Sequence, residues 1–139
     1  MHDRPTAAEL LSAVRQFLES ELLPGLSDPR LRFQTLVAAN VLAIAEREVG
    51  VEDQHLREEW EWLSGLLLLT QPGPESTSEL RRAVRSANVQ LCSEIRKGHF
   101  DGPQEFLSLL RELRKGVVRK LEVASPRYLG SVSAASREV

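Results

Sequence analysis

The 139-residue chain has one cysteine, one methionine and one tyrosine, and aromatic residues make up only 5% of it. The single cysteine, Cys92, leaves no partner for an intramolecular disulfide, which fits a reducing compartment. Excess charge of one sign is also missing: 18 Lys and Arg stand against 20 Asp and Glu, a formal net charge of −2. A phosphate-binding surface shows as basic excess, so nucleic acid is not an expected partner. There is no long hydrophobic run. The longest, Leu66 to Leu69 behind Trp62 and Leu63, is far short of the roughly twenty residues of a membrane span. The start, Met1-His2-Asp3-Arg4-Pro5, has no charged-then-apolar leader pattern. A soluble, cytoplasmic protein is expected.

Familiar catalytic patterns are absent too. The chain has no glycine-rich phosphate loop, nucleophile elbow, paired cysteines or helical HExxH. His55 with Glu58 or Glu59 places two metal ligands on one helical face, but no third is evident, so neither metal nor cofactor is expected. Cys92 has no histidine nearby in sequence and reads as a small core residue.

What is present is helix punctuation. Thr6 with Glu9 reads as a capping box ahead of Leu10, Val14, Phe17 and Leu18, and Pro24-Gly25 stops this first helix. Asp28-Pro29 starts a second, with Phe33, Leu36, Val37, Asn40, Val41 and Ile44 on one face and Gly50 as its end. Asp53 caps a third, which carries Leu56, Trp60, Leu63 and Leu67 to about Thr70. Trp60 and Trp62 lie about 200° apart around such a helix, so one of them is expected to cover a neighbour or partner. The loop Gln71-Pro72-Gly73-Pro74-Glu75 cannot continue a helix. Ser76 with Glu79 opens a fourth, with Leu80, Val84, Ala87, Leu91 and Ile95 inward and Gly98 closing it. Gly102-Pro103 opens a fifth, with Phe106, Leu110, Leu113, Val117 and Leu121 on one face. Pro126 ends the ordered pattern.

No segment alternates as a strand would. The expected fold is therefore all-α, a single-domain antiparallel bundle of about five helices over residues 1–129, with 130–139 a disordered tail. Ala39-Asn40-Val41 recurs as Ala87-Asn88-Val89, and Glu61-Trp62-Leu63-Ser64 resembles Glu105-Phe106-Leu107-Ser108. A helical hairpin copied once would produce this, although amphipathic helices also resemble one another by composition.

Asn40 and Asn88 sit on apolar helix faces, and a buried amide must be hydrogen-bonded or cost a few kcal/mol. As a matched pair they are expected to be mostly buried and to fix packing; an amide facing solvent or an open pocket would favour a ligand instead. Around them the candidate binding residues are Asn40, Arg47, Glu48, Asn88, Arg96 and Asp101. Basic residues also thicken at Arg81, Arg82 and Arg85, and at Arg111, Arg114, Lys115, Arg119 and Lys120; acidic neighbours make these read as solvated faces.

The opening Arg4-Pro5-Thr6-Ala7-Ala8-Glu9-Leu10-Leu11, then Val37-Ala38-Ala39-Asn40-Val41-Leu42-Ala43-Ile44 and Glu46-Arg47-Glu48, resemble a family of small uncharacterised bacterial helical proteins. Leu91-Cys92, Ile95-Arg96, Gly98, Asp101 and Pro126-Arg127-Tyr128-Leu129 resemble its later blocks. The resemblance implies an all-helical protein often encoded beside an aminoglycoside-phosphotransferase-like kinase and an acyl-CoA dehydrogenase, with no catalytic residues to carry over. A non-catalytic accessory protein that binds such a kinase-like partner, or itself as a homo-oligomer, is the first expectation. The alternative is a small-molecule or acyl-chain/acyl-CoA binder with a site between the second and fourth helices. An enzyme built on Glu48, His99 and Asp101 is the least supported.

Overall fold

The computed structural model describes residues 4–135, with side chains described as far as residue 130. It is helical, with no strand among the described residues. We label five helices: α1 (Ala7–Phe17), α2 (Pro29–Leu66), α3 (Thr77–Arg96), α4 (Pro103–Ala124) and α5 (Pro126–Ala135). A π-helical stretch, Leu18–Leu22, and a single turn, Leu23–Gly25, extend α1 before Leu26 turns extended.

The largest correction concerns α2, one helix of 38 residues where two were expected. Gly50 does not end it. A glycine inside a helix costs only about 1 kcal/mol relative to Ala, and side-chain pairs one turn apart support the helix beyond it. Asp53 is no cap: it accepts from Arg57 Nε at 2.7 Å, and Gln54 donates to Glu58 at 2.9 Å. The copied hairpin would have its first turn near Gly50, and α2 has no turn there.

The described residues group into two compact units, 4–51 with 123–125, and 52–122 with 126–135. In the first, Thr6 and Glu9 form the full capping box, and Asp28 Oδ1 accepts from Arg30 N at 2.8 Å to start α2. Arg15 Nε donates to Glu46 at 3.0 Å, Arg32 to the Leu23 carbonyl at 2.9 Å, and Arg47 Nε to the Val123 carbonyl at 2.7 Å. The expected inward faces here lie open: Leu10, Val14 and Phe17, and Phe33, Leu36, Val37 and Val41, are all about half or more exposed.

The second unit holds the core. Leu80, Val84, Ala87 and Leu91 of α3 are buried against Leu63 of α2, itself fully inaccessible, and Leu109 of α4. Ile95, expected with them, is 37% exposed. The apolar stripe of α4 is out of register with expectation: Phe106, Leu110, Leu113 and Val117 are exposed, and Leu109 points inward instead. Both tryptophans are partly buried and pack against the core cluster. In the loop after α2, Gly73 lies so close to the Trp60 indole that a Cβ there would stand 2.7 Å from Cδ1, so the loop covers this ring. Helix α5 covers residues 126–135, and 136–139 of the expected tail lie outside the described residues.

Two helix ends use the same motif with different residues. After α3, Gly98 at φ 83° donates to the Ile95 carbonyl and His99 N to the Glu94 carbonyl. After α2, Leu68 at φ 53° donates to Gly65 and Leu69 N to Ser64. Both satisfy terminal carbonyls in a Schellman turn, whose left-handed position favours glycine. Leu68, 85% exposed, carries the strain of a side chain there.

Left-handed strain of about 1–2 kcal/mol, set against a glycine entropy cost of about 0.5–1, predicts opposite signs at the two turns. In chemical denaturation Leu68→Gly gains about 0.5–1 kcal/mol and Gly98→Ala loses a similar amount. Gly50→Ala, in open space on a continuous helix, gains up to about 1 kcal/mol. A loss there would mean that the helix breaks at Gly50.

Candidate functional site

The register of α3 creates two faces. At 100° per residue, Leu80, Val84, Ala87 and Leu91 occupy the buried sector, whereas Arg81, Arg82, Arg85, Asn88, Val89, Cys92 and Arg96 fall within about 120° beside it. These residues form one wall of an open groove of about 690 Å³, completed by Leu56 and Glu59 of α2 and Lys120 of α4. All belong to the second unit.

Asn88 is the groove's fixed polar point. Its amide donates to Glu59 Oε1 at 2.7 Å and to the Val84 carbonyl at 3.1 Å, so both N–H groups are satisfied within the protein. Arg81 is paired with Glu52. Arg82, Arg85, Arg96 and Lys120 pair with no described residue. Their positive charge therefore faces the groove uncompensated, over an apolar strip of Leu56, Val89 and Cys92. Cys92 is exposed there, contrary to the core role expected of it, because the buried sector ends at Leu91.

A second groove of about 630 Å³ lies between α2 and α4 and includes His55, Glu58, Arg111, Arg114 and Arg119. Here the charge is matched in part: Arg119 and Lys115 are paired, and Arg111 and Arg114 pair with no described residue. Glu58 accepts from Gln54 and meets Arg119 at 2.8 Å, and its pKa is lowered by the Gln54 hydrogen bond, by Arg119 and by His55. His55 and Glu58 gain no third ligand: among the described residues no group of three His, Cys, Asp or Glu side chains could hold a metal ion.

The expected site residues divide between the two units. Asn40, Arg47 and Glu48 belong to the first. Asn40 is exposed, overturning its expected burial, and it stands among the exposed Phe33, Leu36, Val37 and Val41. Arg47 is occupied by the Val123 carbonyl, and Glu48 is exposed. Asn88, Arg96 and Asp101 belong to the second unit. Asn88 and Arg96 line the same groove, while Asp101 sits at the α3 turn, donating its N–H to the Gly98 carbonyl. Sequence reasoning missed Glu59, Arg82, Arg85 and Lys120 as groove residues. The signal was the spacing 81, 85, 88, 92, 96, one helical stripe, which the acidic neighbours obscured.

Three further carboxylates are held by cations and hydrogen-bond donors. Glu46 is lowered by its Arg15 hydrogen bond, Asp53 by Arg57 and Thr77, and Glu94 by Lys97 and then His99. A folded-state pKa below the unfolded one contributes stability above the unfolded value, lost as pH falls through the folded one. Thermal melts should therefore hold steady near neutrality and decline below the ordinary carboxylate range, about pH 4–4.5. Glu46→Gln should show a shallower acid decline, and an unchanged slope would remove the Arg15 pair from the account.

A family model described as a domain of unknown function (DUF6285) matches residues 24–128. Neither curated proteins nor solved structures give a match.

Proposed function

The chain belongs to the DUF6285 family, a domain of unknown function, and from that premise we propose that it is a non-catalytic accessory protein that binds another protein. The observation that carries this is the open apolar face of α2 in the first unit: Phe33 is 67% exposed and Val41 56%, with Leu36 and Val37 beside them. Contiguous apolar surface of this kind marks an interaction site more often than a solvated one. Asn40 in its midst fits the same role, since a lone amide in an apolar seam fixes register between helices. The partner is an aminoglycoside-phosphotransferase-like kinase, as the bacterial family resemblance implies, or a second copy of this chain, in the cytoplasm. Among the described residues no helix is long and apolar enough to cross a membrane.

A second reading rests on a different observation: Asn88 and Arg96 line an open groove rather than a closed core. That favours a small-molecule or acyl-chain ligand, whose binding would raise the melting temperature. An unchanged melting temperature across a panel of acyl-CoAs would sink it.

For the leading reading, the chain should co-elute with the kinase-like protein or self-associate at micromolar concentration in sedimentation velocity. Phe33→Asp with Val37→Asp should abolish this while leaving the helical circular dichroism intact, because both side chains are already exposed. Neither co-elution nor self-association of the native chain would remove the basis of the proposal.

A further inference from the structure

The groove beside α3 has a shape and charge that select among occupants. Its cations are spread along the helix: from Arg82 to Arg96 is 14 residues, about 21 Å of axis at 1.5 Å per residue. A compact anion would reach one end or the other and leave the remaining charges unmatched. A ligand extended over a comparable length can meet all four of Arg82, Arg85, Arg96 and Lys120. The middle of the groove is not charged. Val89, 67% exposed, and Cys92 stand between the arginines and offer an apolar seat.

The acids nearby are accounted for. Glu52 is taken by Arg81, and Glu59 accepts from the Asn88 amide at 2.7 Å, so neither forms an ion pair with the four free cations. Glu59 keeps one negative group on the groove wall, so the occupant must leave a gap in its own negative charge there, which a helix with spaced acids allows and a backbone with a phosphate at every unit does not. A helix matches the pattern when its acids lie about one turn apart opposite Arg82 and Arg85 and again about three turns further on opposite Arg96, with an apolar seam between.

We propose that this groove docks an acidic amphipathic helix of a protein partner. This rests on the reading of the chain as an interaction protein but uses a surface in the other unit from Phe33 and Val37. Arg82, Arg85 and Arg96 supply specificity and a fast encounter, and Val89 supplies the desolvated contact.

The test uses a synthetic helix carrying Glu at i, i+4, i+7, i+11 and i+14 around a leucine seam, followed by fluorescence anisotropy. The control has the same composition, scrambled, with its helix broken by two prolines. The helical peptide should bind, and more weakly as salt rises from about 50 to 300 mM. Arg85→Glu with Arg96→Glu should weaken it by about tenfold or more, and Val89→Ser, which adds no charge, should weaken it without changing the salt dependence. These variants should leave any association that depends on Phe33 and Val37 intact, so the two proposals fail separately. Equal binding of the broken peptide, equal binding by the double arginine variant, or no binding at millimolar peptide would each overturn the assignment. Tighter binding of a single-stranded oligonucleotide would overturn it in favour of nucleic acid.

Discussion

The rotational setting of α3 about its own axis is the constraint on which the second unit depends. Leu63 of α2 is fully inaccessible, and it is reached by the face that carries Leu80, Val84, Ala87 and Leu91. Burying a leucine is worth about 1.5–3 kcal/mol, and turning the helix by one residue, 100°, would bring Arg81, Arg85 and Asn88 toward Leu63 in their place. Buried arginines without partners cost far more than the rotation could return. Once the four apolar positions are placed, the position of every polar group on α3 follows, including the cations along the groove.

Asn88 sits at the boundary between those two faces, which explains its bonding. It is near enough to the core to need partners for its amide and near enough to the groove to find Glu59. The second hydrogen bond, to the Val84 carbonyl one turn earlier, ties the side chain to its own helix. Asn40 occupies the matching motif but not the matching environment. Its neighbours Phe33, Leu36, Val37 and Val41 are open, so nothing in the chain demands that its amide be satisfied internally. Shared local sequence therefore led to different side-chain surroundings, because burial is decided by what packs against a helix.

That difference marks the limit of what was legible in advance. Features settled by local chemistry were readable: the Thr6–Glu9 box, the Asp28–Pro29 start, the Gly98 stop and the buried positions Leu80 to Leu91 all depend on residues within a few turns. The continuity of α2 across Gly50 was not, because a penalty of about 1 kcal/mol is a weak stop signal that neighbouring pairs outweigh. The face of α4 was misread for another reason. Phe106, Leu110, Leu113 and Val117 make the more regular stripe, yet Leu109 is the side chain that reaches the core. Periodicity identifies an apolar face without saying that anything covers it. For the groove, the stripe from Arg81 to Arg96 was visible, but its lack of partners was not, since pairing depends on which acids other helices present.

The charge balance shows how this arrangement differs from composition. A net charge of −2 leaves little reason to expect an anion-binding surface. Yet many acids are committed locally: Glu46 to Arg15, Asp53 to Arg57, Glu58 to Arg119, Glu94 to Lys97 and His99. Each such pair removes an acid from the pool that could neutralise α3. The cations at Arg82, Arg85, Arg96 and Lys120 are then free because of how the pairs are distributed, and the local field at the groove is positive although the chain is slightly acidic. Long-range attraction falls off within about 10 Å at moderate salt, so a partner approaching this face responds to those four charges and hardly at all to the total.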